Sequence, residues 1–436
     1  MGNRVMQGFN MQPMSQRVVS LLLSAAVMWQ TAAIPAVAAD GAALSLPSLL
    51  EEVRRVNPDL RAARKRWEAA QARVPLSKGL PAPRIGIEFE EIPKGTVKLD
   101  QATLMYQLIQ SLPFPGKLSA RKRVAVKEAQ MAAMMYKQAE WDLLTQAKAA
   151  YYDLYLFDRE LEVQQEQLLW LEQAVASARA RYASGTATQA ELLTTQAESL
   201  EASTMRSVLL NRRQAMAAHL NHVLNRASHE PFGKPGPLPL EPLPLSPDEL
   251  LLSAQERQPE LLVFRYSAER ADAAWRLAKR ELLPDLETMF ELRDPAMGPV
   301  GPWDLTLALV LPFWFWTKQR YGVKAALYDK ESAQAAYEGM QNEIARRIHE
   351  HWHEAMAAYR SARLAADALI PLGEQAVASA MAAYPGGRGS FMELMDTLRT
   401  LSERRRTYYQ ALVSLEQHVA MLEQAAGIPL RHPEAQ

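Results

Sequence analysis

Cysteine is absent from the 436-residue sequence. Its absence excludes disulfides, thiolate metal sites, cysteine nucleophiles and a lipid anchor on an N-terminal cysteine. A charge excess is also missing, because 49 basic residues balance 49 acidic residues, and nothing therefore indicates a nucleic-acid partner. Beyond the N-terminal segment no apolar run approaches about 20 residues, so we expect no membrane-spanning helix in the mature chain.

Two common sequence motifs of catalysis are missing as well. The chain has no nucleophile elbow and no phosphate-binding loop. Each of these motifs places a reactive group on a particular local structure, so their absence removes the corresponding enzyme classes. We therefore expect a protein that is not an enzyme and that requires no cofactor.

The N-terminus is typical of a secretory signal peptide, which we place at residues 1–39. Arg17 supplies the positive flank, a short apolar stretch follows, and small residues permit cleavage after Ala38 or Ala39. An uncleaved membrane anchor is the alternative, but Pro35 interrupts the segment too early for a span of about 20 residues. We therefore expect the mature protein to leave the cytoplasm.

The remaining chain contains an internal duplication. Three pairs of segments recur at an offset of about 200 residues: NPDL with QPEL, the tripeptide LPF with itself, and RYASGTATQAELL with AYPGGRGSFMELM. The last pair aligns Tyr182 with Tyr384, Gly185 with Gly387 and Glu191 with Glu393. We predict two structural repeats, residues 40–229 and 248–428. The proline-rich segment 230–247 favours an extended linker, and residues 429–436 form a tail.

Each repeat has the same predicted order of elements. A first helix is followed by two segments with the period-two alternation of β-strands, clearest in residues 303–311. A long segment with apolar residues at heptad spacing comes next, then a turn and a returning helix. The last helix of the chain keeps this spacing more strictly, from Leu394 to Leu422. A compact bundle of amphipathic helices is the alternative. Residues 117–184 lack glycine and proline, however, and one helix of that length extends about 100 Å.

The predicted fold class is therefore mainly α with a small β part, built from long coiled-coil helices and two β-hairpins. We expect the first helix of each repeat to stack end to end with the returning helix, beside the long one. Trp303 and Leu305 alternate with Asp304 and Thr306, as in strands that separate lipid from water. Four strands cannot close a barrel, whereas three copies of the chain supply twelve, so we expect a homotrimer.

The duplicated order of helix, hairpin, long helix, turn and helix resembles the TolC-type outer membrane factors over essentially the whole mature chain. The segment LPFPGKLSAR, residues 112–121, is similar to the branch that works with heavy-metal cation efflux pumps. The resemblance implies a trimeric channel, in which a β-barrel in the outer membrane continues as an α-helical barrel in the periplasm. It also implies three kinds of partner: outer membrane lipid, a periplasmic adaptor protein and an inner-membrane pump of the RND type.

The resemblance also implies roles for the two turns. Acidic residues after the second turn line the periplasmic aperture in the family, and Glu393 and Asp396 match them. Tyr384 aligns with a gating tyrosine, and Arg388 lies one position away from a gating arginine. A solvated acidic face in a first helical turn is the alternative for the two acids. The implied adaptor-docking residues are Arg181, Tyr182, Gly185, Thr186 and Gly387, although any tight turn favours glycine. We expect Gly185 to adopt a positive φ between its two helices.

Prolines mark two other places where we expect the backbone to change direction. Pro113, Pro115, Gly116 and Pro312 are predicted to form the passage from barrel to helical tunnel, because proline ends a strand ladder. Within the second long helix, Pro371 predicts a bend toward the tunnel axis.

One group of histidines suits metal binding by its spacing. His349 and His353 lie four residues apart on one helix face, which fits two imidazole ligands, while His351 points away from that face. No third ligand is visible in the sequence, so a pair of satisfied coiled-coil histidines is the alternative. The sequence therefore predicts no firm metal site.

These expectations combine into one functional hypothesis with two alternatives. We expect a passive exit duct of a tripartite efflux system, most consistent with heavy-metal cations as the cargo. The same type of duct for drugs, dyes or type I protein secretion is an alternative, because pumps rather than ducts usually select the substrate. A soluble periplasmic coiled-coil adaptor or scaffold is a further alternative, and it predicts release of the protein by osmotic shock.

Overall fold

The computed structural model describes residues 44–90, 102–293, 302–384 and 389–431, so the predicted signal peptide lies outside it. The first half contains α1 (Leu46–Val56), α2 (Pro58–Leu76), β1 (Arg84–Glu90), β2 (Thr103–Leu112), α3 (Lys117–Ala183) and α4 (Gln189–Val223). The second half contains α5 (Pro247–Arg257), α6 (Pro259–Arg280), β3 (Asp285–Arg293), β4 (Trp303–Val310), α7 (Arg320–Leu364), α8 (Ile370–Ala383) and α9 (Phe391–Ala426). The protein is mainly helical with a small antiparallel sheet, and this part of the predicted fold class is confirmed.

Burial follows the predicted heptad spacing in α9. Its stripe residues are at most 1% exposed: Leu394, Leu398, Leu401, Leu412, Leu415, Val419 and Leu422. The stripe lies against α3 and α7, while α3 also contacts α2, α4 and α6. The helices that cover α3 therefore come from both repeats, and the two repeats share one packed interior.

The short and returning helices meet end to end, as predicted. Asn57 caps α2, because its side-chain oxygen accepts hydrogen bonds from the backbone N–H groups of Asp59 and Leu60 at 2.9 and 3.1 Å. Its amide nitrogen donates to the carbonyl oxygen of Val223, at the last residue of α4, over 2.9 Å. Asn57 is 3% exposed, so this polar junction is removed from water.

The second repeat has an equivalent junction between α9 and α6, and a glycine lies at it. Gly427 follows α9 with a φ of +69°, a left-handed conformation that glycine adopts without a steric cost. A Cβ atom at this position would lie 2.8 Å from the Cα atom of Gln258, the residue that caps α6. The close backbone approach therefore requires glycine, and it places the end of α9 against the start of α6.

The two hairpins join into one antiparallel sheet with the order β1-β2-β3-β4. The central strands β2 and β3 come from different repeats and pair from Met105 with Arg293 to Leu112 with Leu286. Among the described strands, β1 and β4 have a partner on one side only. The sheet of one chain therefore ends in two unpaired edges.

The second long helix is irregular near the proline that predicted a bend. Residues Ala365–Leu369 form a π-helical turn between α7 and α8, just before Pro371. The side chain of Arg404 donates a 3.2 Å hydrogen bond to the carbonyl oxygen of Leu369. The predicted irregularity therefore takes the form of a π-helical insertion, whereas the direction of the bend stays a prediction.

Candidate functional site

The sheet has one face of large exposed apolar side chains. Two rows cross all four strands in register, with every member more than 40% exposed: Ile85–Leu108–Phe290–Leu305 and Ile87–Tyr106–Leu292–Trp303. No described helix has the length and apolar character that crossing a membrane requires. Within the apolar face of the sheet, Trp303 stacks on Phe290 at a centroid distance of 6.3 Å.

The opposite face of the sheet is polar and joined by side-chain hydrogen bonds. Gln107 donates to the carboxylates of Glu88 and Glu291, and the second of these bonds measures 2.9 Å. Further along, Arg293 lies 3.4 Å from Asp304 on the neighbouring strand. Because paired residues in adjacent strands share a face, these groups form one polar surface behind the apolar rows.

The first seam, residues 113–116, connects the sheet to the longest helix. Strand β2 ends at Leu112, directly before Pro113, and Pro115 leads into Gly116. Gly116 has a φ of +94°, a conformation that favours glycine, and α3 begins at the next residue. The chain therefore turns from strand to helix within four residues that contain both predicted prolines.

The first seam is held by a buried lysine. Lys117 is 2% exposed, and its ammonium group donates to the carbonyl oxygen of Leu283 at 2.7 Å. It also pairs with the carboxylate of Asp285 at 2.8 Å, which in turn accepts a 2.7 Å hydrogen bond from the N–H group of Phe114. Because Leu283 and Asp285 belong to the second repeat, these contacts fix the two repeats to each other beside the sheet.

The second seam, residues 311–314, is built differently. Strand β4 ends at Val310, shortly before Pro312, and a π-helical turn at Phe315–Gln319 precedes α7. Its neighbourhood exposes large apolar side chains, each by at least 49%: Leu311, Phe313, Trp314, Trp316 and Tyr321. Trp and Tyr are enriched where a membrane meets water, so this aromatic group is chemically suited to a bilayer boundary.

The first turn, residues 184–188, has the geometry predicted for its glycine. Gly185 has a φ of +72°. The N–H group of Thr186 donates to the carbonyl oxygen of Arg181 at 2.8 Å, and that of Gly185 donates to Tyr182 at 3.0 Å. These are the two hydrogen bonds of a Schellman motif. The Tyr182 side chain is 45% exposed, and Thr186 is exposed as well.

The second turn contacts the first through Tyr384. Its hydroxyl group donates a 2.7 Å hydrogen bond to Glu191, and the residue is 2% exposed. The Arg181 guanidinium lies 4.8 Å from the Tyr384 ring centroid and 3.4 Å from the Glu191 carboxylate. Burial first, and then Glu191, raise the pKa of Tyr384 to about 12. The structure therefore joins Arg181 and Tyr384, which the sequence had assigned to separate roles.

The two acids predicted for the aperture are both accessible. Glu393 and Asp396 are exposed in the first turns of α9, which Ser390 caps by accepting a hydrogen bond from the N–H group of Met392 at 3.3 Å. Neither acid forms an ion pair with another described residue. Arg388 and Gly387 lie outside the described residues. The structure thus brings the two acids to one end of α9 and leaves their carboxylates open.

The structure separates the three histidines of α7 into an exposed pair and a third that is partly buried. His349 and His353 are exposed, with ring centroids 6.5 Å apart. His351 instead faces His418 of α9, and their Nδ1 atoms lie 3.4 Å apart. Burial lowers the pKa values of both His351 and His418. Within the described ranges, no three histidine or acidic side chains gather as metal ligands.

A cluster of buried charges on α9 was not predicted. Glu423 is 1% exposed, pairs with Lys148 and accepts two backbone hydrogen bonds from the C-terminal segment. Glu416 is 3% exposed and lies 3.2 Å from the Arg431 guanidinium. Burial outweighs Arg431 and raises the pKa of Glu416 to about 7. The sequence signal for this cluster is the seven-residue spacing of the two glutamates beside the apolar stripe.

A family model described as outer membrane efflux protein matches residues 49–226 and 250–428. Among curated proteins, the cobalt-zinc-cadmium resistance protein CzcC of Cupriavidus metallidurans is 21% identical over 389 residues, which cover 88% of this chain and 90% of that protein. The family model therefore matches once in each half of the chain, on either side of the proline-rich segment.

Solved structures of the same architecture are also similar. The outer membrane protein VceC of Vibrio cholerae superposes with a TM-score of 0.76 at 17% identity, covering 88% of this chain and 97% of that one. CusC superposes with a TM-score of 0.75 at 15% identity, covering 88% and 92%. At these identities, the structural similarity establishes a shared fold.

Proposed function

The chain belongs to the outer membrane efflux protein family, and from this membership we propose that three copies assemble into a passive exit duct. Members of the family are non-enzymatic channels of the outer membrane that extend into the periplasm, and the chain shares that location. In the proposed trimer, the sheets form a 12-stranded transmembrane β-barrel, and the long helices continue it as an α-helical barrel in the periplasm.

The four-stranded sheet, with its two unlike faces and its two unpaired edges, is the main support for this proposal. Its apolar face suits lipid, and its polar face suits a water-filled lumen. A single chain leaves the edges of β1 and β4 unpaired, and unpaired edges inside a bilayer are too costly to persist. Pairing of β1 with β4 of a neighbouring chain removes both edges at once, and a ring of three chains closes.

Exposed apolar side chains on α4 support neighbouring chains along the helices as well. Leu193, Leu200 and Met205 are 55%, 70% and 46% exposed. Leu193 and Leu200 lie seven residues apart and therefore on one side of α4, whereas Thr195, Ala202 and Leu209 of the same helix are buried. A neighbouring copy is the partner that covers these residues in the proposed helical barrel, because burial of apolar area favours association.

Fractionation and sizing test this assembly. We expect the protein to remain with the outer membrane, to require detergent for extraction and to elute as a trimer by light scattering of the protein component. A soluble periplasmic adaptor or scaffold would instead leave the cell on osmotic shock. Recovery of a monodisperse monomer without detergent would therefore reject the duct.

The proposed duct docks on a periplasmic adaptor and receives its cargo from an inner-membrane pump of the RND type. The exposed first turn supplies a surface for this contact, with Arg181, Tyr182, Gly185 and Thr186, and Gly387 is assigned to the second turn by the repeat. The seam residues Pro113, Pro115, Gly116 and Pro312 are proposed to redirect the chain between barrel and tunnel. Site-specific photo-crosslinking from position 182 tests the docking surface: adducts with the adaptor support it, and adducts confined to other copies of the duct reject it.

The periplasmic aperture is the second part of the proposal. Threefold repetition of Glu393 and Asp396 produces two acidic rings, which favour cations at a constriction. Tyr384 and Arg388 are proposed to control the position of the same turn. The open carboxylates of both acids support this assignment, since a carboxylate paired within its own chain attracts a passing cation less.

We propose heavy-metal cations as the cargo. The similarity to a protein named for cobalt, zinc and cadmium resistance supports this choice, as do the acidic rings. Deletion in a strain without a second duct should lower tolerance to Co, Zn, Cd, Cu or Ag salts. Unchanged metal tolerance combined with sensitivity to dyes or drugs would favour the same duct for organic cargo, and loss of a secreted protein would favour type I secretion.

A further inference from the structure

A pair of histidines between α7 and α9 has a geometry that the proposed duct does not explain. His351 and His418 face each other with ring centroids 5.5 Å apart and Nδ1 atoms 3.4 Å apart. Both side chains are partly buried, and each sits on a long helix whose apolar residues pack around Ile348 and Leu415. The two rings are therefore held in place by the packing of their helices.

The distance between the nitrogen atoms distinguishes among possible interactions. An N–H donor usually lies about 2.7–3.2 Å from its acceptor, so 3.4 Å is long for a hydrogen bond. Two imidazole nitrogens bound at about 2.0–2.1 Å to a tetrahedral Zn²⁺ are separated by about 3.3–3.4 Å. Adjacent nitrogens of a square-planar site at the same bond length are separated by only about 2.8–3.0 Å. The observed separation matches the tetrahedral case.

We propose that His351 and His418 form a divalent-cation site that binds Zn²⁺ through both Nδ1 atoms. Each ring then carries its proton on Nε2. The ring that bears a proton on Nδ1 in the metal-free pair releases it to water and takes one up on Nε2, so the net proton count does not change. No third protein ligand is gathered among the described residues, so water completes the coordination and the ion exchanges readily.

Charges of both signs lie near the pair. Arg346 and Arg347 act electrostatically on His351, whereas Glu350 and Glu354 act on His418. Glu350 is already paired with Arg346, whereas Glu354 has no ion-pair partner within the described chain. Glu354 follows His351 by three residues and therefore lies on the same side of α7. It supplies negative potential beside the site without being counted as a ligand.

The same helix provides a matched control. His349 and His353 have the i, i+4 spacing that first suggests metal binding, but both are exposed and their rings stack along the helix surface at 6.5 Å. His349 and His353 both belong to α7, whereas the proposed site joins His351 of α7 to His418 of α9. Binding at this pair is a property of the protein itself and does not depend on whether metal cations are the cargo of the duct.

Calorimetric titration of the detergent-solubilised full-length protein with Zn²⁺ tests the site. We expect one site per chain that is weakened about tenfold or more in His351→Gln and in His418→Gln, and that is unchanged in the double variant His349→Gln with His353→Gln. Glutamine keeps a polar side chain at the half-buried positions. Circular dichroism and elution volume confirm that each variant retains its fold.

Two results would overturn the proposal. Equal Zn²⁺ affinity in the wild-type protein and in His351→Gln would show that the pair is not the site, and so would loss of binding in the His349 and His353 variant alone. Co²⁺ provides an independent readout, because tetrahedral Co²⁺ absorbs visible light far more strongly than octahedral Co²⁺. We expect the strong absorption in the wild type and its loss in His418→Gln; a weak octahedral spectrum in the wild type rejects the tetrahedral geometry.

Discussion

The hydroxyl group of Tyr384 donates a 2.7 Å hydrogen bond to Glu191, and this contact joins the second turn of the chain to the first. Arg181 completes the group, since it lies over the tyrosine ring and pairs with the same carboxylate. A hydrogen bond to a charged acceptor in a site removed from water is among the stronger single contacts in a protein. The two turns are therefore held together by a specific three-residue group.

We predict that Tyr384→Phe increases the single-channel conductance of the reconstituted protein. The substitution removes the bond to Glu191 and leaves this partly buried carboxylate with one partner fewer, so the second turn is held less tightly. The pKa of Tyr384 is raised to about 12, and the hydroxyl therefore remains a donor throughout an ordinary recording range of pH. Tyr182→Phe is the matched control, because Tyr182 occupies the same place in the first repeat but is exposed. Equal conductance of the Tyr384→Phe and wild-type channels would contradict the prediction.

The two exposed acids at the start of α9 lead to a prediction about ion preference. Replacement of Glu393 and Asp396 by alanine should shift the reversal potential in a salt gradient toward zero, since the rings no longer favour cations. Glu403→Ala is the control, because Glu403 is also exposed on α9 but lies further from the turn. A reversal potential that does not move in the double variant rejects the acid-ring assignment.

Glu416 predicts a pH dependence of stability. Its pKa is raised from 4.5 to about 7 in the folded protein, mainly by burial. The native state therefore holds this proton more tightly than the unfolded chain, and the contribution is lost as the pH rises from about 4.5 to about 7. The loss amounts to about 3 kcal/mol, at 1.36 kcal/mol per pKa unit. Glu416→Gln should raise the unfolding midpoint at pH 8 and leave it nearly unchanged at pH 4.5. A midpoint difference of the same size at both pH values would show that burial of the charge is not the cause.

Loss of the Asn57 side chain should lower the stability of the junction between α2 and α4. Asn57→Ala removes the helix cap and leaves the buried carbonyl group of Val223 without its partner. We expect a loss of about 2–3 kcal/mol in unfolding free energy, measured by denaturant unfolding in detergent. Thr188→Ala, which removes only an exposed cap of α4, should cost about 1 kcal/mol. Equal losses in the two variants would mean that the long-range bond contributes nothing.

Local patterns in the sequence were sufficient to locate most elements. The absence of glycine and proline after Lys117 predicted a helix to Ser184, and α3 ends one residue earlier. Heptad spacing identified the buried stripe of α9, and the left-handed conformation of Gly185 was anticipated from its place between two helices. These features depend on neighbours within a few residues, which a periodicity analysis includes.

Contacts between distant segments were beyond that reasoning. The repeat aligns Tyr182 with Tyr384 and Glu191 with Glu393, so it treats the members of each pair as equivalent. The structure buries Tyr384 and leaves Tyr182 exposed, because Tyr384 lies against Glu191 and Arg181. His418 was missed for the same reason: its partner His351 lies on another helix, and helical spacing pointed to His349 and His353 instead.

The pairing of β2 with β3 has a consequence for biogenesis. Leu112 meets Leu286, more than 170 residues further along the chain, so the middle of the sheet stays open until most of the polypeptide has been translocated. Closing so long a loop is slow, and until β2 pairs with β3 the apolar faces of the strands are exposed to water. We therefore expect a protein that shields the apolar strands to bind the chain during secretion. A product truncated after α4 lacks β3 and β4 and cannot complete the sheet.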